Sequence, residues 1–581
     1  MVESKYRWRN RELREQVEVL DGKRSPTILL KNATYLNAIF KKWLQANIWI
    51  YNDRIVYVGE KLPDKVDQTC EVVDCKNSLL VPGYIEPHAH PFQLYNPVSF
   101  AQYASKFGTT VLINDNLQLC LFTNKKKAFS FIDDLKSLPT TLYWWGRLDS
   151  QTEIIDEEVV FSNASVKKWL EHESVIQAGE LTGWPKLLEG DDLKLYWIQE
   201  AKRLNKKVEG HFPGASEKTL AKLKLLGADS DHESINGKEV MRRLLQGYMV
   251  GLRHSSIRPD LPQILEELKE ENIPNYSQLM LTTDGSTPSF YENGVMDHLI
   301  KICIEHGIPA IEAYLMTTLN PAKYFNLEHL HGQIATGRVA DINFIASEDN
   351  PTPVSVLAKG KWVKRDGKEL DNRYQINMDQ YGFQPLTIDW NLNNEDLQYS
   401  MPVGISLDSS VITKPYSITT DLYRDKLDDD VDECFFTYIQ RNGELRINTV
   451  LKGFAKNLDG LATTFTNTGD ILLIGKNKKD MCTAFERMKE IGGGIVISKN
   501  GNIIYELPLT FSGHSSELDF ESLIEKDKEF KKIMTKFGYR FNDPIYTLLF
   551  LTSTHLPYIR LTPLGLFDVM QKKVLFPAIM R

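Results

Sequence analysis

The chain has 581 residues and an ordinary composition, with 42% hydrophobic, 25% charged and 10% aromatic residues. Its length exceeds what one hydrophobic core supports, so two or three domains are expected. A formal net charge of −8 argues against a surface that binds nucleic acid. The apolar runs are shorter than a membrane span, and the charged opening MVESKYRWRNRELREQ lacks an apolar signal core. We therefore expect neither a membrane anchor nor export.

Cysteine usage bears on the compartment of the protein. The six cysteines are scattered, and no two stand at CxxC spacing. They occupy positions 70, 75, 120, 303, 434 and 482. This usage predicts reduced, mostly packed thiols and, together with the charged opening, a cytoplasmic protein.

The first part of the chain predicts a helix and then part of a small sheet. Residues 1–24 are charged and favour a helix, and residues 27–75 alternate short strand-like segments with turns. Aromatic and β-branched runs flank positions 51–54, which indicates a hairpin there. A matching strand-like piece returns at 339–370, with the hairpin turn Asp366-Gly367. We expect a small β-sandwich built from segments on both sides of a central domain.

Eight strand-like runs lie between these flanks, and several end in a chemically useful residue. In chain order they are LLVPGYIEPHAH, TTVLINDN, TLYWWGRLD, SVIQAGE, KKVEGH, GADSDHE, YMVGLRH and YSQLMLTTD. Helical periodicity occurs between them in TLAKLKLLG, EVMRRLLQG, LPQILEELKEE and VMDHLIKICIEHG. Eight β/α units in about 250 residues predict a distorted TIM (β/α)8 barrel of the α/β class. In the third run, the pair Trp144-Trp145 is equally typical of ordinary core.

The sequence changes character after about residue 371. A polar stretch there precedes a second region of strand-like and helical segments. Its Gly492-Gly493-Gly494 run lacks a following Lys-Ser/Thr and opens onto a strand, so it is not a phosphate-binding loop. The expected domains are 1–80 with the N-terminal helix and the first half of the β-sandwich, 81–335 with the barrel, 336–380 with the second half of the β-sandwich, and 395–581 as a C-terminal α+β domain.

The motif His88-Ala89-His90 stands directly after the apolar part of the first run. Side chains two residues apart on an extended strand project to the same side, so both imidazoles can reach one metal ion. A pair of loop histidines bonded to the backbone is the alternative. The surrounding LLVPGYIEPHAH resembles the first barrel strand of the amidohydrolase superfamily, in which an apolar run and Pro-Gly precede HxH. This context favours metal ligands.

Four further candidate ligands stand at the ends of later runs, where a TIM barrel has its active site. They end the fourth, fifth, sixth and eighth runs and are Glu180, His211, His232 and Asp284. Taken singly, an acidic residue at such a position is more often a helix N-cap, and a histidine is more often a packed residue. Their ordered appearance at successive strand ends favours one shared site.

The barrel interpretation and ligand chemistry together imply a binuclear metal centre. The expected division of ligands is His88, His90 and Asp284 on one metal, His211 and His232 on the other, and Glu180 as the bridge between them. We expect two divalent ions, manganese or iron, with zinc as the alternative. They would lower the pKa of a shared water and supply hydroxide near neutral pH. Asp284 would take the proton and pass it to a leaving amine.

We expect three residues beside the strand ends to contact the substrate, and this expectation rests on their position alone. The candidates are Glu233, Arg253 and His254. The remaining histidines carry no such context and read as helix, loop or second-domain residues: His172, His298, His306, His329, His331, His514 and His555.

Over nearly its whole length the chain resembles the adenine deaminase family, whose members are amidohydrolase barrels with an extra C-terminal domain. The resemblance in the barrel rests on PGYIEPHAH, GEL, EGHFPG, GADSDHES, the Arg253 segment, TTDG and GQIATGRVADI. In the tail it rests on KKDMCTAFERMKEIGGGIVISKNG, ELPL and NDPIYTLLFLTSTHLPYIRLTPLGLFDV. The H-x-E…P-C-x-x-C signature of the cytidine-deaminase-like zinc proteins is absent from the sequence.

Three segments depart from the pattern of that family. After HxH the family usually has I-E-S-S, and this chain has PFQL at 91–94. After the second run the family has D-P-H-E, and this chain has NDNL at 114–117. In the C-terminal domain the family carries H-D-S-H-N, and this chain has TNTGD at 466–470. The departures leave the substrate open.

The resemblance implies a metal-dependent hydrolase of C–N bonds in cyclic amidines. The predicted reaction is adenine deamination in purine salvage, in which metal hydroxide attacks C6, Glu180 holds the metals and Asp284 moves the proton to give hypoxanthine and ammonia. We expect a small purine base as the partner, and neither nucleic acid nor a membrane. A homodimer is possible from the sequence. Two alternatives remain. One is an amidohydrolase for another aminated heterocycle or cyclic amide, and the other is a non-catalytic relative that binds metal or ligand.

Overall fold

The computed structural model of the protein describes residues 8–271, 273–370 and 374–581. The first helix and five strands are α1 (Asn10–Leu20), β1 (Ile28–Asn37), β2 (Lys42–Tyr51), β3 (Arg54–Gly59), β4 (Glu71–Asp74) and β5 (Leu79–Pro82). The predicted N-terminal helix is confirmed over 10–20, while residues 1–7 of that prediction lie outside the described residues.

The central domain is a parallel barrel, as predicted. Its strands are β6 (Tyr84–Ala89), β7 (Thr109–Asn114), β8 (Thr141–Gly146), β9 (Val175–Leu181), β10 (Lys207–Gly210), β11 (Ser230–Asp231), β12 (Met249–Arg253) and β13 (Leu279–Thr282). Each strand pairs in parallel with the next in sequence order, and a bridge between Ala89 and Asp284 brings the ring almost to closure. The third run, which contains Trp144 and Trp145, forms β8, and both indoles are fully buried.

Helices alternate with these strands. They are α2 (Pro97–Lys106), α3 (Leu117–Phe122), α4 (Lys125–Asp134), α5 (Glu157–Val160), α6 (Asn163–Glu171), α7 (Trp184–Leu188), α8 (Asp192–Arg203), α9 (Glu217–Leu225), α10 (Gly237–Leu245), α11 (Leu261–Glu270), α12 (Met296–Glu305), α13 (Ala310–Leu315) and α14 (Leu319–Tyr324). The four helices read from periodicity are confirmed as α9 to α12. Among the residues that the structure describes, no helix is long and apolar enough to cross a bilayer.

A second sheet combines segments from both sides of the barrel. Its later strands are β14 (Ile342–Ile345), β15 (Ser355–Ala358), β16 (Lys361–Arg365) and β17 (Lys368–Glu369). The strand order is β17-β16-β15-β14-β5-β1-β2-β3, with β4 paired to β1. Both predicted hairpins are present, and in the second one Asp366 and Gly367 have positive φ angles of 48° and 78°, as a type I′ turn requires.

The first of the eight sequence runs is divided between two sheets. Its apolar half forms β5, which pairs with β1 and β14, while its histidine half forms β6 of the barrel. The division falls at Gly83, where an added Cβ would collide with the Thr110 side chain. Pro82 has no N–H for a continuing ladder, so the backbone changes sheet here.

The C-terminal domain is built on a nine-stranded mixed sheet and a three-stranded sheet. Its elements are β18 (Val403–Leu407), β19 (Thr413–Ser417), β20 (Glu433–Ile439), β21 (Leu445–Lys452), β22 (Gly460–Thr463), β23 (Ile471–Gly475), α15 (Lys478–Glu490), β24 (Gly494–Lys499), β25 (Asn502–Pro508), α16 (Phe520–Lys536), α17 (Pro544–Phe550), β26 (Ile559–Thr562), β27 (Gly565–Asp568), β28 (Lys573–Pro577) and β29 (Ile579–Met580). Short 3-10 helices lie at Leu135–Ser137, Pro288–Asn293, Met378–Tyr381 and Asn394–Leu397. The glycine run at 492–494 leads into β24, so it does not open a helix.

Helix α16 joins the C-terminal domain to the loop that follows the last barrel strand. Lys531 donates hydrogen bonds of 2.7 and 2.8 Å to the hydroxyls of Thr287 and Ser289. Thr287 in turn donates to Asp543, the N-cap residue of α17, at 3.0 Å. These bonds fix α17 above the C-terminal ends of the barrel strands, and the C-terminal domain therefore covers part of the barrel mouth.

Candidate metal centre

The structure brings all six predicted ligands together at the C-terminal end of the barrel. Three overlapping groups have ligand atoms within 4.8 Å of one another: His88, His90 and Glu180; His88, His232 and Asp284; and Glu180, His211 and His232. Strand geometry explains the convergence, since each residue stands at or just beyond the carboxyl end of a parallel strand.

The side chains at the centre lie within contact distance of one another. His90 Nε2 lies 3.2 Å from His88 Nε2 and 3.1 Å from Asp284 Oδ1. On the other side, Glu180 Oε1 lies 2.6 Å from His211 Nδ1 and 3.5 Å from His232 Nε2. The second carboxylate oxygen of Glu180 is 4.0 Å from His90 Nε2, so this glutamate stands between the two halves.

Glu209 connects two of the histidines from beneath. Its Oε2 lies 2.8 Å from His88 Nδ1, its Oε1 lies 3.2 Å from His232 Nδ1, and Gln177 donates to it at 2.5 Å. Burial acts against the charged carboxylate, but the neighbouring His88 and His232 outweigh it and lower the pKa of Glu209 to about 2. With Nδ1 held by a carboxylate, each imidazole presents Nε2 to the centre.

A buried ion network supports the other edge. Asp115 Oδ2 lies 3.0 Å from His90 Nδ1, and Arg147 donates to Asp115 at 2.8 Å through Nε. Arg147 also donates to Glu180 Oε2 at 3.0 Å, while Gln151 donates to the same oxygen at 3.0 Å. Burial acts to raise the pKa of Asp115, but the Arg147 guanidinium prevails and holds it well below its usual range. The network orients His90 and Glu180 together.

Asp284 is held at the rim by contacts on both oxygens. Its Oδ2 accepts a hydrogen bond of 2.7 Å from Arg253, and its Oδ1 faces His90. Its backbone N–H donates to the Thr282 hydroxyl, which in turn donates to Glu86 at 2.7 Å. Burial opposes ionisation, but the His90 and Arg253 contacts hold the pKa of Asp284 well below its usual range. Asp284 is therefore a carboxylate at neutral pH.

The structure places two of the three predicted substrate contacts at a cavity above the centre and the third away from it. Glu233 and Arg253 line the cavity above the centre and form an ion pair, and Arg258 donates to Glu233 at 2.9 Å. His254 packs instead against the rings of Phe290 and His298, with centroids 5.6 and 5.9 Å away, and it is not part of the cavity wall among the described residues. Adjacent residues of an extended strand face opposite sides, so Arg253 and His254 do not share a site.

A cavity of about 1200 Å³ opens above these residues. Barrel residues form its floor, and the C-terminal domain forms much of its opposite wall. The wall residues from that domain include Asn467, Tyr546, Leu549, Phe550, His555 and Leu556. Each of the three segments that depart from the family pattern contributes to the lining, through Gln93, through Asp115 and Leu117, and through Asn467.

The donor set fits two divalent cations. Four imidazoles and two carboxylates converge, a mixture typical of borderline first-row metals. Within the described part of the chain, the buried Nε2 atom of His232, which faces Glu180 at 3.5 Å, has no hydrogen-bond partner. Buried polar atoms are normally satisfied, and a metal ion would complete this one. Without metal, burial opposes the protonation of His90, but Asp115 and Asp284 raise its pKa to about 10.

Comparison with known proteins agrees with this architecture. The amidohydrolase family model matches residues 79–363, and the adenine deaminase C-terminal domain model matches residues 410–573. A Halalkalibacterium halodurans protein is 54% identical over 581 residues, covering 100% of both chains, and a Bacillus cereus protein is 53% identical over 579 residues, covering 100% of this chain and 98% of that one. Both carry the name "Putative adenine deaminase". The chain belongs to the adenine deaminase family.

A more distant relative and two solved structures are also similar to this chain. The adenine deaminase of Listeria welshimeri is 26% identical over 96% of this chain and 97% of its own. A crystal structure of an adenine deaminase covers 59% of this chain and 100% of its own, with 16% identity and a TM-score of 0.45. A β-aspartyl dipeptidase from Fervidobacterium islandicum covers 60% and 99%, with 16% identity and a TM-score of 0.46.

Three charged residues around the centre of this family member were not assigned from sequence. Glu209 stands two residues before His211, and because side chains at that spacing on an extended segment project to the same side, the spacing was an available signal. Arg147 and Asp115 stand just beyond the ends of β8 and β7, where charged residues of a barrel face the active site. The cavity wall from the C-terminal domain had no local signal.

Proposed function

We propose that this protein is a cytoplasmic, metal-dependent hydrolase that converts adenine and water to hypoxanthine and ammonia in purine salvage. One observation carries the proposal: four histidines and two carboxylates at the ends of five barrel strands converge below a cavity, in a chain of the adenine deaminase family. Full-length relatives that carry the adenine deaminase name support the substrate. Six free cysteines support a reducing compartment.

The distances at the centre support the ligand roles expected from the sequence. His88, His90 and Asp284 would hold one cation, His211 and His232 the other, and Glu180 would bridge them. When bound, two such ions lower the pKa of water and supply hydroxide near neutral pH. Histidine and carboxylate donors suit manganese, iron or zinc. Glu209 and Asp115 keep the imidazoles oriented, since their carboxylates occupy the Nδ1 atoms of His88, His232 and His90.

Asp284 is the proposed proton carrier. It is ionised at neutral pH, it lies at the edge of the cavity, and Arg253 fixes one of its oxygens. A carboxylate in that position can take a proton from the attacking water and give it to the departing amine. Arg253 and Glu233 are the proposed substrate contacts on the same wall. His254 is left out, because its ring packs away from the cavity.

The cavity favours a second candidate, the deamination or hydrolysis of another aminated heterocycle or cyclic amide. A cavity of about 1200 Å³ exceeds the range of roughly 300–1,000 Å³ that holds drug-sized ligands, and a purine base is smaller still. In addition, Gln93, Asp115 and Asn467 all line it, and they come from the segments that depart from the family pattern. Both candidates use the same ions and the same Asp284.

The deciding experiment combines elemental analysis with ammonia release by the purified full-length protein over a panel of purines, pyrimidines and cyclic amides. Two metals per chain with adenine as the best substrate would support the first candidate. Two metals with another panel member preferred would support the second. Bound metal without turnover of any panel member would reject both and indicate a non-catalytic metal-binding relative.

A further inference from the structure

Helix α17 of the C-terminal domain places a tyrosine in the wall of the cavity. Tyr546 lies in the first turn of this helix, with 2% of its surface exposed, and it lines the same cavity as Asp284 and His90. It stands 262 positions beyond Asp284 in the chain (546 minus 284). Tyr546 therefore brings a side chain of the C-terminal domain to the site in the barrel.

The hydroxyl of Tyr546 is unpaired. Among the residues that the structure describes, its buried oxygen has no hydrogen-bond partner. Buried hydroxyls are normally paired, because leaving one unsatisfied is costly. Burial also raises the pKa of Tyr546 well above its ordinary value, so at neutral pH the group is a neutral phenol with a proton to donate.

The position of this hydroxyl is closely defined. A Cβ built on Gly285, the residue after Asp284, would lie 2.5 Å from the Tyr546 oxygen and 3.1 Å from His90 Cδ2. The phenol therefore fills the space that a side chain at position 285 would take. It lies against the loop that carries the proposed proton carrier.

The backbone that carries Tyr546 is also fixed. Asp543 Oδ1 accepts hydrogen bonds from the N–H groups of Ile545 and Tyr546, at 3.1 and 3.2 Å. The other oxygen of Asp543 accepts from Thr287 of the barrel loop at 3.0 Å. The backbone at Tyr546 is therefore fixed before any ligand arrives, and such preorganisation lowers the cost of a specific contact.

We propose that Tyr546 is a substrate-contacting residue whose hydroxyl donates a hydrogen bond to a ring nitrogen or exocyclic heteroatom of the bound heterocycle. The nature of the ligand rests on the proposed function. The choice of Tyr546 rests on its buried, unpaired hydroxyl and on its anchored backbone. It assigns to the C-terminal domain a direct part in substrate recognition. A barrel without this domain would keep the metal ligands and lose this contact.

The test replaces only the hydroxyl. Tyr546→Phe should lower kcat/KM by about 10- to 100-fold, the effect of one hydrogen bond to a substrate. It should leave the Tm of the metal-free protein unchanged or slightly higher, because no protein partner loses its bond. Tyr399→Phe is the matched control, since Tyr399 is equally buried, its hydroxyl pairs with Thr437 at 2.6 Å, and it lies outside the cavity wall. That variant should lower the Tm and keep kcat/KM.

The outcomes separate this inference from the proposed function. Unchanged kcat/KM in Tyr546→Phe, or a loss of Tm like that of Tyr399→Phe, would overturn the role of Tyr546 while leaving adenine deamination intact. Wild-type protein that releases no ammonia from adenine would reject the proposed function instead. The Tm comparison needs no substrate, so in that case it still decides whether the Tyr546 hydroxyl is free for a ligand. An unchanged Tm supports that it is free, and a lowered Tm overturns it.

Discussion

The carboxylate of Glu209 lies 2.8 Å from Nδ1 of His88. Its other oxygen lies 3.2 Å from Nδ1 of His232, so one buried side chain orients two imidazoles that belong to opposite halves of the candidate centre. The two proposed metal positions are therefore coupled through a residue that binds neither of them.

Glu209→Gln should weaken at least one of the two metal positions. An amide offers one acceptor oxygen instead of two, so one of the two imidazoles loses its partner, and loss of such support typically lowers metal affinity about 10- to 100-fold. Metal content after titration with a chelator measures the effect. Glu506→Gln, which changes a surface glutamate paired with Arg487, is the control and should bind metal normally. Equal chelator resistance in the two variants would contradict the role of Glu209.

Alanine at the ligand positions should distinguish the bridge from a terminal ligand. His88→Ala should empty or weaken one position, because it leaves an under-coordinated site. Glu180→Ala should disturb both, since its carboxylate lies between the two halves of the centre. Metal stoichiometry measured on purified protein tests this. Two tightly held metals in both variants would show that the ligand assignment is wrong.

Asp284→Asn should separate metal binding from turnover. The amide keeps the size of the side chain, and asparagine tolerates the φ of 53° at this position, but it cannot take up a proton. Turnover should fall by about 10²- to 10⁴-fold, the usual contribution of a positioned acid–base group. Metal content should change much less. Asp366→Asn is the control, because Asp366 has a φ of 48° in a remote hairpin. Near-normal ammonia release by Asp284→Asn would remove Asp284 from the mechanism.

Arg147→Met should destabilise the protein strongly. Its guanidinium is fully buried between Asp115 and Glu180, and its removal takes a positive charge away from two buried carboxylates. Breaking such a pair typically costs about 3–5 kcal/mol of unfolding free energy. Arg487→Met removes a half-exposed pair with Glu506 and should cost only about 0–1 kcal/mol. Thermal denaturation of the two metal-free variants measures the difference in stability, and equal Tm values would refute this prediction.

The pKa of Asp297, a residue away from the metal centre, predicts that the stability of the protein depends on pH. Burial raises its pKa to about 6, although Thr352 and the Val295 N–H donate to it. A raised pKa means that the folded state binds the proton more tightly, so this stabilisation is complete below the ordinary value near 4 and is lost as the pH rises through about 6. Asp297→Asn stays neutral throughout. The Tm of Asp297→Asn minus that of wild type should therefore increase between pH 4 and pH 7, and a constant difference would count against this pKa.

The candidate ligands could be predicted because their positions are encoded locally. A β/α repeat fixes where each strand ends, and parallel strands of a barrel end at one face, so His88, His211, His232 and Asp284 had to meet there if the barrel formed. Period-two alternation placed His88 and His90 on one side. The same rule separates Arg253 from His254, and the structure places the second of these against Phe290.

Contacts between distant segments could not be predicted from the sequence alone. The pairing of Arg147 with Asp115 and Glu180 depends on the register of neighbouring strands, and the hydroxyl of Tyr546 reaches Gly285 only because α16 and α17 dock on the barrel loop. Local periodicity determined the barrel, its strand ends and the type of donor atoms. Tertiary packing decided which carboxylate holds which imidazole and which domain closes the cavity, because those contacts join side chains whose separation in the chain carries no periodic signal.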